Sequence, residues 1–431
     1  MRLQPLVFLL AAAALSNAQP PLIGTCGVFP ADNIWNTPVD TLPVSSQSAT
    51  YVNTIGATSP THPDFGSCTY AGASIGIPWI TVPGTQTKYP ATFQYADESD
   101  PGPYPIPLTA PIEGGSSSTG DRHAIAVDTT NCVLYELYSA YPQTASWQAG
   151  SGAIFDLKSN ALRPDTWTSA DAAGLPIVPG LARYDEVAAG EIRHALRFTV
   201  PKTRKAYVWP ARHYASSLTG TQYPPMGQRF RLKASFDISP FPADVQVILR
   251  ALKKYGMILA DNGSAWYISG TPDPGWNNDD LSTLRNVPGS AYEAVDVSSL
   301  MIDPNSGQAK QTAVSVTVTP TSAMMFLGDT RQFTATVQNA ADASVTWSVN
   351  GLIGGSLTMG TIDASGMYTA PPVVPAAGAI SVEATSVATP SARGSATVSL
   401  RARPRPGRAP VCSAGATCAS RFAPRETALL H

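Results

Sequence analysis

The chain has 431 residues, 43% hydrophobic and only 13% charged, with 39 prolines, 34 glycines and a formal net charge of −2. That length suits about two or three domains with a sizeable core. The lack of a large basic block in the main body argues against a nucleic-acid binder, and the proline and glycine content favours short strands and ordered turns over long surface helices.

Arg2 supplies a positive start, residues 6–15 (LVFLLAAAAL) an apolar core, and Ser16-Asn17-Ala18 a small-x-Ala cleavage site. This is the pattern of a signal peptide over 1–18. The apolar run is shorter than the roughly 20 residues a span needs, and no second run is long enough. The expectation is a mature protein without a membrane span, secreted to the extracellular space or cell surface. Five cysteines follow: Cys26, Cys68 and Cys132 in the body, Cys412 and Cys418 in the tail. In an oxidising compartment the body can form at most one bond among its three, leaving one over. The absence of CxxC argues against a zinc knuckle.

Residues 26–53 read as an extended entry segment, interrupted by Pro, Asn and Asp. HPDFG at 62–66 reads as a turn. After the flexible GGSSSTGD loop at 114–121, residues 123–138 read as a hairpin. Its strands are 123–127 and 132–138, with the turn over 128–131. Ser169 or Asp171 can cap a helical turn. Residues 194–200 (HALRFTV) and 206–213 (AYVWPARH) read as strands, and 226–238 as another. Val245, Ile248, Leu249 and Leu252 recur at i, i+3, i+4 and i+7, which predicts a helix over 241–255 with Gly256 as its C-cap. MILADNGSAWYISG reads as a hairpin turning at Asp261-Asn262-Gly263.

Residues 303–312 (DPNSGQAKQT) read as a linker between a main domain over 19–302 and a second over 313–401. In the second, short Val/Thr-rich strands recur between turns, with Trp347 as the buried core tryptophan. The V-T-W-S-V strand and the G-x-I-x-x-x-G-x-Y-x-A-P corner resemble bacterial Ig-like domains of the Big2 type. That resemblance implies a spacer or adhesive module rather than an enzyme. Residues 402–431 are Pro/Arg-rich without a core pattern and read as disordered. In the body, GEIRHALRFTVP, YVWPARH, PPMGQRFRLKASFDI and KKYGMILADNGSAWYISGTPDP resemble a family of secreted bacterial proteins. The match implies one recurring domain over roughly 27–300. It carries over no activity and no catalytic residue.

Glu191-x-x-His194 puts a carboxylate within reach of an imidazole, which would orient it or raise its pKa. The alternative is a hydrogen-bonded histidine at a sheet end. Asp121 and His123 share one face of an extended chain. If their strand neighbours that of His194, the two histidines converge as an acid/base pair or as metal ligands, with His213 as a third. Glu136 lies between aromatic residues, which suits acid catalysis or sugar binding, or it faces solvent. Tyr207, Trp209 and Tyr214 can form a stacking platform beside Arg212 and His213, with Arg212 pairing a carboxylate or sulfate; Trp209 as a core residue is the competing reading. Asp261 reads as a turn former. Asp273, Asp279 and Asp280 do not have EF-hand spacing. No GxSxG, HExxH or P-loop is present.

The expected architecture is mainly β. A jelly-roll or sandwich-like main domain, mostly antiparallel and with one packed helix, is followed by an Ig-like β-sandwich. The expected function is a secreted carbohydrate-active enzyme, a glycoside hydrolase or polysaccharide lyase. Its partner would be a polysaccharide or cell-surface glycan, with no cofactor, no metal and no nucleic acid. The catalytic candidates are His194, His123, Asp121, Glu136 and Glu191; the substrate-binding candidates are Arg212, His213, Trp209 and Tyr207. The alternative is a non-catalytic glycan-binding or adhesion protein. An enzyme should gather His123, His194 and a carboxylate in one pocket, whereas a binding module should show a shallow aromatic strip with dispersed histidines.

Overall fold

The computed structural model describes residues 20–403 apart from 71, 312–313, 339, 341–342 and 376–378. The expected signal peptide, Cys412, Cys418 and nearly all of the expected tail lie outside the described residues. The chain divides into two units near residue 314, and both are mainly β.

Ten strands carry the large unit's two main sheets: β1 (His62–Asp64), β2 (Ile80–Val82), β3 (Ala124–Asp128), β4 (Val133–Tyr138), β5 (Ser151–Asp156), β6 (Leu196–Val200), β7 (Arg229–Leu232), β8 (Met257–Asn262), β9 (Tyr267–Ser269) and β10 (Tyr292–Val295). One sheet has the order β5-β4-β3-β2, the other β10-β7-β8-β6-β9-β1. Pairing is mostly antiparallel, but β2 runs parallel to β3, β6 to β8 and β9 to β1. The predicted hairpin over 123–138 is the β3–β4 pair. The predicted 257–270 hairpin is not formed, because β6 inserts between β8 and β9 and pairs with both.

Among the described residues, four α-helices accompany the sheets: α1 (Ser48–Ile55), α2 (Tyr184–Ala188), α3 (Ala243–Lys254) and α4 (Asn278–Ser282). The helix predicted over 241–255 is α3, and Val245, Ile248, Leu249 and Leu252 are fully buried on its inner face. Each such side chain contributes roughly 1.5–3 kcal/mol. Lys253 and Lys254 occupy the last turn, where cations favour the helix dipole. Gly256 follows at φ +66°. The segment 26–53, predicted as extended, turns at its end into α1, which buries Tyr51, Val52 and Ile55. Its Ser48 hydroxyl accepts the β10 amide of Ala294.

Two further expectations are corrected. Residues 206–213 form no strand; Tyr207 makes one bridge to Met226, and Pro210 lacks the amide a ladder needs. The stretch read as a linker is bonded to the body over 304–311. Ile34 donates to the Gly307 carbonyl, Trp209 to that of Ser306, and Gln308 to Asp32. The one bond the body allows is Cys26–Cys132, and Cys68 is left over, exposed. Among the described residues no helix is long and apolar enough to cross a membrane.

The small unit is a β-sandwich. A five-stranded sheet includes Val345–Val349 and Ile380–Ser386, and a four-stranded sheet includes Gly360–Ile362 and Met367–Thr369. The Ile380–Ser386 strand buries alternate residues. Trp347 is buried as expected, with Phe333, Tyr368, Val382 and Val398.

Candidate functional site

At one edge of the six-stranded sheet, four polar side chains line up across four strands. Register pairs Asp64 of β1 with Ser269 of β9, and Arg197 of β6 bonds the Ser269 hydroxyl. Asp261 of β8 completes the row because of a bulge. Arg197 is opposite Ile258 and Phe198 opposite Leu259, but Thr199 is opposite Asp261. The extra residue, Ala260, reverses the side-chain alternation. Asp261 thereby shares the Arg197 face, its Oδ2 at 3.7 Å from Nη2.

Arg197 is the hub. Its Nε and Nη2 donate to the two oxygens of Asp171 at 2.6 and 2.8 Å. Both side chains are buried. Burial opposes the charge on Arg197, but Asp171 overrides it and holds the guanidinium protonated. The bond is of the kind that fixes a plane as well as a charge, since guanidinium and carboxylate meet in two places.

The other sheet contributes His123, just before β3. Its Nδ1 contacts Glu113 Oε2 at 2.5 Å and its Nε2 the Ala170 carbonyl at 2.9 Å. An ionised carboxylate and a carbonyl can only accept, so both ring nitrogens donate and the ring is an imidazolium. Burial alone would lower its pKa; Glu113 reverses that and raises it to about 9. Burial would likewise raise Glu113, and His123 pulls it below the usual range.

Three carboxylates form the solvent-facing side of the cluster. Asp121 and Asp64 are both exposed. Asp261 is the innermost. Burial, then Asp171 and then Asp121, push it up to about 8 against the pull of Arg197. Burial and the Glu113 charge also raise Asp64. Tyr138 joins them: its ring is 6.0 Å from that of His123, and burial followed by the Asp121 and Asp261 charges raises its hydroxyl. Deeper in, fully buried Glu136 accepts the amides of Ile177 and Val178. Burial pushes it up to about 7, and Asp171 adds to the rise while His123 opposes it.

Of the catalytic candidates, Asp121, His123 and Glu136 lie near enough to Arg197 or Asp171, or to one another, for their charges to interact. His194 does not join them. It is buried against Glu186 at 3.0 Å and the Ala195 carbonyl, and Glu186 also binds Arg183. Its carboxylate partner comes from α2 rather than from Glu191, which points outward to Arg193 and Lys254. The two histidines share no partner, and no group of three or more His, Cys, Asp or Glu among the described residues is placed to hold a metal. Asp64, Glu113, Asp171, Arg197, Asp261 and Ser269 were not singled out as site residues from sequence. The available signal was Arg197, a charge inside the apolar run HALRFTV.

The substrate-binding candidates lie along one segment. Tyr207, Trp209 and Arg212 line a cleft of about 400 Å³. Trp209 is half-buried and packs against the main hydrophobic core, so both readings of it are met in part. Tyr214 stacks between Tyr207 and His213, with centroids at 6.3 and 5.6 Å. His213 donates Nδ1–H to the Ala172 carbonyl. The amide of Arg212 bonds the Ala173 carbonyl, and the Ala173 amide that of Ala260. One loop thus ties this segment to the strand end carrying Asp261. The Asp273–Asp280 stretch is committed to local turns, with Asn277 capping α4. No protein-family model matches the chain, and no curated protein matches it.

Proposed function

We propose that the large unit is a secreted carbohydrate-active enzyme of the glycoside hydrolase kind, acting on an extracellular polysaccharide. The observation carrying this reading is the convergence of Asp64, Asp121 and Asp261 from three separate chain segments on one Arg197–Asp171 and His123–Glu113 frame. Hydrolysis of a glycosidic bond needs a protonated carboxyl to protonate the leaving oxygen and an ionised one to activate water or attack carbon. Asp261, raised to about 8, is the acid at neutral pH. Exposed Asp121 is the partner base, with Asp64 as its neighbour. His123 has both nitrogens engaged, so it positions Glu113 and contributes charge instead of transferring protons. That, with Arg197 already bound to Asp171, favours a hydrolase over a lyase. A lyase would use a free His or Tyr base and an Arg free to neutralise a uronate.

The disulfide and the signal-like N-terminal sequence support export. The small unit, as a Big2-type Ig-like module, serves as a spacer or adhesive unit. The aromatic cleft at Tyr207 and Trp209 favours a second reading, a non-catalytic glycan-binding protein.

Full-length protein incubated with neutral and uronic polysaccharides distinguishes these readings. The expected result is new reducing ends without unsaturated-uronate absorbance, falling at least about a hundredfold in Asp261→Asn and in Asp121→Asn. Unsaturated product would mean a lyase. Unchanged rates in both variants would overturn the site. Binding without product would favour the adhesion reading.

A further inference from the structure

The cleft beside residues 207–212 has walls that are largely apolar: Tyr207, Val208, Trp209, Met301 and Pro304. Two guanidinium-bearing residues, Arg212 and Arg229, also line it. Arg229 is 1% exposed. It donates only to the carbonyls of Tyr255, Ile34 and Thr37, and among the described residues no carboxylate pairs with it. Burial alone pulls its pKa down to about 9. A buried cation without a counter-ion is costly, but the carbonyls that bind this one belong to residues that do not line the cleft, so Arg212 is the guanidinium available to a cleft ligand.

Arg212 is fixed by three bonds, to the Arg163 and Pro304 carbonyls and to Asn305 Oδ1. Two carboxylates line the cleft. Asp296 is occupied by its own turn, accepting the Ser298 amide. Asp165 is different. Its side chain is 62% exposed, stands 3.4 Å from Arg212 Nη2 and accepts the Tyr207 hydroxyl at 2.9 Å. It occupies the position an incoming anion would take, on a side chain that is open to solvent.

We propose that this cleft is a subsite for an acidic saccharide. The carboxylate of a uronate ring replaces Asp165 against Arg212 and Tyr207, while the ring's apolar face lies on Trp209. The proposal deepens the polysaccharide reading and rests on the large unit meeting a saccharide, but not on catalysis at the Asp261 cluster.

The test is calorimetric binding of trigalacturonate and of its methyl ester, the same skeleton without charge, to the full-length protein. The acid is expected to bind at least about tenfold tighter than the ester. Asp165→Asn should tighten the acid and leave the ester unchanged. Trp209→Ala should weaken both. Equal affinity for acid and ester, no effect of Asp165→Asn on the acid, or no binding of the acid would each overturn the proposal. Asp261→Asn should bind the acid as wild type does, so a failure of the catalytic reading is seen separately from a failure of this one.

Discussion

Glu136 and His123 put ionisable groups where water does not reach, and each leaves a mark on stability against pH. The folded chain holds the Glu136 proton up to about 7, whereas the unfolded chain releases it near 4.5. Between those values the native state binds more protons, so this group's contribution falls as pH rises. Glu136→Gln keeps an oxygen for the Ile177 and Val178 amides and removes the titration. Chemical denaturation at pH 4.5 and pH 8 should show wild type losing on the order of 3 kcal/mol more than Glu136→Gln across that interval; equal losses would refute the assignment. His123 acts in the next window. Its folded pKa is raised to about 9 from 6.5, so its contribution is complete below 6.5 and disappears as pH climbs through 9. Glu113 is the main cause, and Glu113→Gln leaves burial, aided by Arg197, opposed only by the lesser charge of Asp121. In wild type the ring should titrate by NMR near 9, and in the variant below 6.5. An unchanged midpoint would show that Glu113 is not what holds the charge.

At the scale of elements, the site depends on sheet order and on one bulge. Asp64 and Arg197 are far apart in sequence and become neighbours because β1 and β6 both pair with β9. Asp261 reaches them because Ala260 shifts the register. None of this is visible in local periodicity, which is why an Asp-Asn-Gly run read as a hairpin turn when a third strand separates its arms. What was legible was local: the β3–β4 hairpin carrying His123 and Glu136, the i, i+3, i+4, i+7 face of α3, and the alternating strands around Trp347. His194 shows the reverse failure. Spacing offered Glu191, but α2 turns Glu186 inward and takes the imidazole. Gly256, read as a C-cap from sequence, does this job under tight constraint. It joins α3 to β8 at φ +66°, and a Cβ there would stand 2.1 Å from the Phe230 carbonyl oxygen. Gly256→Ala is therefore expected to destabilise by more than about 1 kcal/mol. A denaturation midpoint within error of wild type would mean the turn relaxes freely.

For the molecule as a whole, the disulfide and the division into two units combine into one test. Cys26–Cys132 closes a loop across 106 positions, tying the entry segment to the start of β4. It therefore constrains the unfolded ensemble of the large unit, an effect worth about 2–5 kcal/mol. The described part of the small unit contains no cysteine and has its own core of Phe333, Trp347 and Tyr368. With separate cores, the units should unfold in separate calorimetric transitions. In Cys26→Ser/Cys132→Ser the larger transition should fall by several degrees while the smaller keeps its midpoint. Cys68, exposed and unpaired among the described residues, should react with a thiol reagent in the native protein, whereas Cys26 and Cys132 should react only after reduction. A shift of both transitions together would mean that the two cores unfold as one cooperative unit, and the large unit's site would then have to be studied only in the full chain.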